Sequence, residues 1–179
     1  MTQRLIAVVG VSGVGKSTFL KAAGEFLTFK HLTAGSLIGK AGAEKYEHDS
    51  LRLQDIDENQ ELLVRGFARA KKTAGSLIIL DAHTVIHGAA GLEVIGPRVF
   101  AALKPDAIAH VEADPAEILA NRMGDQTRER PLLSIEDLAD QQALSRAAAM
   151  EIAYTLSIPF KIFTHRELSD FCSFASASA

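Results

Sequence analysis

Eight residues, Gly10-Val11-Ser12-Gly13-Val14-Gly15-Lys16-Ser17, follow directly on the apolar run Leu5-Ile6-Ala7-Val8-Val9. An apolar run of this length bounded by glycine reads as a buried strand. The glycines at 10, 13 and 15 let the backbone turn so that successive N–H groups converge on one point, where the next helix presents its positive end. Such a loop cradles phosphates: Lys16 is placed to reach the β- and γ-phosphoryl oxygens, and the Ser17 hydroxyl to ligate Mg²⁺. The segment therefore demands strand, loop and helix in that order, and it demands an anionic ligand.

The rest of the chain repeats the same rhythm. Apolar runs expected to form strands occur at 29–32, 76–80, 107–111 and 160–163, besides 5–9, with helical segments at 16–27, 56–74, 96–103, 115–123, 135–156 and 166–171. Alternation of this kind predicts an α/β fold with a parallel sheet. Two helix starts are marked chemically, by Asp114 before Pro115 and by Ser134 before Ile135-Glu136-Asp137. With 179 residues, 47% of them hydrophobic, the chain is expected to form one domain over 1–172 and to end in a flexible, low-complexity tail over 173–179.

Composition excludes several classes. Nineteen basic residues against 22 acidic ones leave a formal net charge of −3, which does not suit a nucleic-acid backbone. Cys172 is the single cysteine, so neither an intramolecular disulfide nor a cysteine-rich metal site can form. The first apolar stretch runs into the glycine loop and reads as a core strand, not a leader, and no run reaches the roughly 20 residues a bilayer span requires. A cytoplasmic protein without nucleic-acid or membrane partners is expected, as a monomer or a homo-oligomer.

Further polar residues gather where strands end. Leu77-Ile78-Ile79-Leu80 leads into Asp81, a carboxylate placed to hold Mg²⁺ beside Ser17. His83 and Thr84 are expected to emerge at the same sheet edge, either as ligand contacts or as a plain polar loop. Arg122, Arg128 and Arg130 lie in a segment bounded by Gly124 and Pro131, about 122–133, that suits a lid whose guanidinium forks clamp a transferring phosphoryl group. Arg146 on the following helix either points back at those phosphates or is an ordinary surface residue. Thr33, Gly35 and Ser36 follow the second strand and line the opposite side of the pocket, where Arg52 and Arg65 offer positive charge to an acceptor. None of the histidines has metal-ligand spacing, and His110, inside an apolar strand, reads as a core histidine.

In this order the pieces resemble the nucleoside-monophosphate kinase group of P-loop proteins, most closely the archaeal-type adenylate kinases. The resemblance rests on Gly10–Thr18, Leu80-Asp81-Ala82-His83-Thr84-Val85-Ile86, Val111–Leu119 and Asp125-Gln126-Thr127-Arg128-Glu129-Arg130. It implies a five-stranded sheet of order 2-3-1-4-5, ATP and Mg²⁺ on the loop through Thr18, lid arginines at 122, 128 and 130, and an acceptor side beginning at Thr33–Leu37. The chain departs from the group at Ser36, where many members carry aspartate. The expected reaction is transfer of the ATP γ-phosphoryl group to a nucleoside monophosphate, AMP first. The alternatives are a kinase for a small hydroxyl compound and a nucleotide-dependent switch; the chain lacks an Asn-Lys-x-Asp motif and an Asp-x-x-Gly after the second acidic strand, which a switch would use.

Overall fold

The computed structural model describes residues 3–42, 56–88, 91–125 and 133–177. Strand β1 (Arg4–Val9) passes through the glycine loop into helix α1 (Lys16–Ala23). The chain continues through β2 (Lys30–Thr33), α2 (Ala34–Gly42), α3 (Ile56–Lys71) and β3 (Leu77–Asp81). A hairpin of β4 (Val85–Gly88) and β5 (Gly91–Val94) precedes α4 (Pro97–Leu103), β6 (Ala107–Glu112) and α5 (Pro115–Gly124). Helix α6 (Ile135–Leu156), strand β7 (Phe160–Thr164) and helix α7 (Leu168–Ser176) follow.

Five strands form one sheet in the order β2-β3-β1-β6-β7, every neighbouring pair parallel. With the separate β4–β5 hairpin left out of the count, this is the expected order 2-3-1-4-5. Because β1 is central, both of its faces are covered, which is why Leu5–Val9 is continuously apolar rather than alternating. Leu5, Ala7 and Val9 pack with Ile78, Leu80 and Ile108 against Phe67 of α3, Phe100 of α4 and Ile152 of α6. Ile6 and Val8 point the other way, with Ile79 and Val111, against Phe19 and Leu20 of α1, Ile118 of α5 and Phe171 of α7. Each such Leu, Ile, Val or Phe side chain, fully buried, contributes about 1.5–3 kcal/mol of transfer free energy before the cost of ordering the chain. The result is helices on both faces of a sheet whose C-terminal edge stays open.

The helix caps behave as their residues require. Asp114 accepts a 2.8 Å hydrogen bond from the Ala116 N–H. Ser134 and Asp137 form a reciprocal pair, the Ser134 hydroxyl accepting from the Asp137 N–H at 3.0 Å and the Asp137 carboxylate from the Ser134 N–H at 2.9 Å.

Three expectations need correction. Helix α1 stops at Ala23, because Gly24 caps it and residues 24–27 close as turns. The hairpin was not foreseen; its strands are only four residues each and carry little alternation. The tail expected from Ser173 is helical through Ser176, since Phe174 packs on Phe163 at a 5.4 Å ring separation and Ala175 is buried. Burial of those two side chains overrides the low complexity of the serine–alanine run.

Candidate active site

Two glycines in the loop are required by close approach. A Cβ at Gly10 (φ +151°) would lie 2.6 Å from the Val111 carbonyl oxygen, and one at Gly13 (φ +89°) 2.7 Å from Cγ of Arg122. The loop is thus wedged between the end of β6 and the last turn of α5. That turn also holds its apex: Asn121 Nδ2 donates to the Gly13 carbonyl at 3.0 Å, and Arg122 Nε to the Ser12 carbonyl at 2.8 Å. Arg122 Nη2 reaches the buried Gln141 Oε1 at 3.4 Å, and Gln141 Nε2 meets His87 Nε2 of the hairpin at 3.0 Å. One arginine therefore ties the loop to α6 and, through Gln141, to β4.

Lys16 is only 6% exposed. Its ammonium folds onto the loop, donating to the carbonyls of Gly10 at 2.9 Å and Val11 at 3.3 Å, and it lies 3.7 Å from Asp81 Oδ1. His83 Nδ1 is 2.8 Å from the same Gly10 carbonyl and 3.3 Å from the ammonium. A carbonyl only accepts, so Nδ1 carries the proton in the 2.8 Å contact. Val14 is buried beneath the loop, whereas Ser17 and Thr18 are exposed on the first turn of α1.

Parallel register brings the strand ends together, Val8 opposite Asp81 and Asp81 opposite Thr33. Asp81 consequently meets three side chains of α1 and β2 at once. Its Oδ1 faces Lys16, and its Oδ2 lies 3.5 Å from the Ser17 hydroxyl and 4.0 Å from His31 Nε2. On the acceptor side, Thr33 and Ser36 are engaged with each other: Thr33 Oγ1 accepts from the Ser36 N–H at 3.1 Å and Ser36 Oγ donates to the Thr33 carbonyl at 3.0 Å, which starts α2. A Cβ at Gly35 would meet nothing within 4 Å, so this surface is open. Arg65 is exposed on α3. Arg52, Arg128 and Arg130 lie outside the described residues, as does most of the lid segment.

Thr84 is not at the sheet edge as expected. It is fully buried, and its hydroxyl donates to the Ser145 carbonyl at 2.9 Å and contacts Ser145 Oγ at 2.9 Å. His110 is the core histidine expected, fully buried with Nε2 3.0 Å from Ser145 Oγ. Burial pushes its pKa down to about 4; Glu112 opposes the shift, while Arg146 and Lys16 add to it. Arg146 forks onto Glu112, Nε to Oε1 at 2.6 Å and Nη2 to Oε2 at 2.8 Å, at the C-terminal end of β6 beside the loop. Sequence reasoning missed His31, Gln141 and His87. Each lacks a motif and acquires its place only through strand register or helix packing.

A glycine loop on the central strand of a 2-3-1-4-5 parallel sheet, with a carboxylate ending the adjacent strand beside the loop's Ser, defines a P-loop kinase. The comparisons make the class more specific. A family model described as an AAA domain matches residues 9–139. The chain is 31% identical over 177 residues to the adenylate kinase of Methanocaldococcus jannaschii, covering 93% of this chain and 92% of that one. It is 32% identical over 171 residues to the adenylate kinase of Thermococcus kodakarensis, covering 91% and 87%. Among solved structures, TT1252 from Thermus thermophilus superposes with a TM-score of 0.58 at 14% identity, covering 100% of both chains. The shikimate kinase of Bacteroides thetaiotaomicron does so with 0.56 at 14% identity, covering 96% and 95%, a likeness of fold alone. The chain belongs to the archaeal adenylate kinase family of P-loop proteins. Among the described residues, no helix is long and apolar enough to cross a membrane.

Proposed function

We propose that this protein transfers the γ-phosphoryl group of ATP to a nucleoside monophosphate, with AMP as the acceptor. The observation that carries the reading is the meeting of Lys16, Ser17 and Asp81 at one point on the open sheet edge. Phosphoryl transfer asks little covalent chemistry of a protein; it asks for in-line positioning and for neutralisation of charge on the transferring oxygens. The loop N–H groups orient the β- and γ-phosphates. Lys16 exchanges its two loop carbonyls for phosphate oxygens, a short swing of a side chain already held in place by the loop. Arg122 fixes the loop apex and, with Arg128, Arg130 and Arg146, supplies forked donors around the group in transit. Thr33, Gly35 and Ser36, with Arg52 and His83, form the acceptor side.

The two hard oxygen donors Ser17 Oγ and Asp81 Oδ2, 3.5 Å apart, fit Mg²⁺, which takes one or two protein oxygens and completes its shell with phosphates and water. Bound there, the ion neutralises charge on the β- and γ-oxygens. Asp81→Asn is expected to raise the Mg²⁺ concentration needed for half-maximal turnover and to slow transfer, because an amide ligates without neutralising the ion. Turnover measured across a Mg²⁺ series, unchanged in the variant, would reduce Asp81 to a turn residue.

The direct test is ADP formation from ATP and AMP, together with binding of two adenosines joined through five phosphates. One such molecule fills both halves of the site, so it is expected to bind ~10²-fold tighter than ATP. Binding no tighter than ATP, with no AMP-dependent ADP, would replace this reading with a kinase for a small hydroxyl acceptor.

A further inference from the structure

His110 is out of place by the logic of its strand. Its neighbours Ala107, Ile108, Ala109 and Val111 are apolar and buried, and the register sets it between Val9 and Ile162. A fully buried imidazole there costs desolvation that an aliphatic side chain avoids. Its contacts close a ring of residues. His110 and Glu112 share one face of β6, two positions apart. Ser145 and Arg146 are consecutive on α6. His110 Nε2 lies 3.0 Å from Ser145 Oγ, His110 Nδ1 3.1 Å from Glu112 Oε1, and Glu112 takes both prongs of Arg146.

Hydrogen-bond chemistry fixes the direction of this ring. A carboxylate only accepts, so the neutral imidazole turns Nδ1–H towards Glu112 and leaves Nε2 to accept the Ser145 hydroxyl proton, while Thr84 donates to Ser145 from behind. The Nδ1 approach is oblique, too poorly aligned for a full hydrogen bond. Glu112 therefore gives its best geometry to Arg146 and uses the imidazole as a stop. Kept neutral by burial, the ring adds no second cation to compete for that carboxylate.

We propose that His110 is a positioning residue for Arg146: braced by Ser145, it fixes the rotamer of Glu112, and Glu112 holds the guanidinium at the sheet edge where the phosphates of the bound nucleotide lie. The link from Arg146 to turnover rests on the phosphoryl-transfer reading above; the bracing of Glu112 does not.

Two measurements separate them. In the free protein, the Arg146 Nε–H resonance, identified by its absence in Arg146→Lys, is expected to be sharp. It should broaden by solvent exchange in His110→Leu and return in His110→Asn, which keeps a donor at the δ position. In the second measurement, His110→Leu lowers kcat about 10-fold with ATP affinity within about twofold of the parent, since misplacing a clamp costs rate more than ground-state binding. In an Arg146→Ala background the same change alters kcat less than about twofold, the non-additivity expected of residues acting as one unit. Ser145→Ala, a smaller disturbance, is expected to repeat the pattern more weakly should His110→Leu fold poorly. A sharp Arg146 signal in both His110→Leu and Ser145→Ala, or equal losses of kcat in both backgrounds, would overturn the proposal. Absence of AMP-dependent turnover in the parent protein would overturn the functional reading instead, and the resonance would still decide the role of His110.

Discussion

Lys16→Ala is expected to lower kcat for phosphoryl transfer by roughly 10²–10³, the usual cost of one preorganised donor at a developing charge, while the melting temperature stays close to that of the parent. The two halves of this expectation come from different parts of the structure. Lys16 belongs to neither core cluster; its ammonium bonds the carbonyls of Gly10 and Val11, and the Gly10 carbonyl keeps His83 Nδ1 at 2.8 Å once the side chain is shortened. The loop keeps its path because Gly10 is wedged against Val111 and because Asn121 and Arg122 hold its apex from α5. Substrate still binds through the backbone N–H groups, so KM for ATP should change less than kcat. Steady-state kinetics and a melting curve on the same preparation check both halves. Near-normal turnover would remove Lys16 from the chemistry, and a large fall in melting temperature would make it a structural residue.

Where local chemistry dictates structure, the sequence was sufficient. The glycine loop, the Asp114 and Ser134 caps and the apolar run of β1 each state their own conformation, and parallel strands separated by helices leave few topologies open. Asp81 was legible for the same reason, as a carboxylate ending an apolar strand. What was not legible depends on register and packing. His31 approaches Asp81 only because β2 pairs with β3 so that Thr33 stands opposite Asp81. Thr84 turns inward because α6 presents Ser145 above it, a contact between residues 61 positions apart. Arg146, readable as a phosphate contact or as a surface residue, is a forked partner of Glu112, which no spacing rule relates to it. The helical end of α7 is likewise decided by packing, here on Phe163 of the preceding strand.

Acid should destabilise this protein earlier than its carboxylates alone would make it do. Folded His110 remains neutral down to about 4, because the buried imidazole cannot be charged cheaply; Glu112 outweighs the repulsion from Arg146 and Lys16 but not the cost of burial. In the unfolded chain the same group takes up its proton near 6.5. Between those values the unfolded state binds more protons than the folded one, so stability rises with pH and is lost as pH falls. At about 1.4 kcal/mol for each pH unit of difference, the loss accumulates to about 3 kcal/mol between pH 6.5 and pH 4 and then levels off. The hydrogen-bonded carboxylates Asp137 and Glu167 act with the same sign but lower down, since both are held below the ordinary carboxylate range by bonds from Ser134 and Thr164. Denaturant unfolding at half-unit steps from pH 7 to pH 4 measures the slope, and His110→Leu supplies the control. Leucine fills the same space without a titrating group, and the Ser145 hydroxyl keeps Thr84 as its partner. Relative to its own value at pH 7, the variant should therefore lose little by pH 4.5, whereas the parent has by then lost most of its about 3 kcal/mol. An unchanged slope in His110→Leu would assign the acid sensitivity to other groups and would mean that water reaches the imidazole beneath the loop.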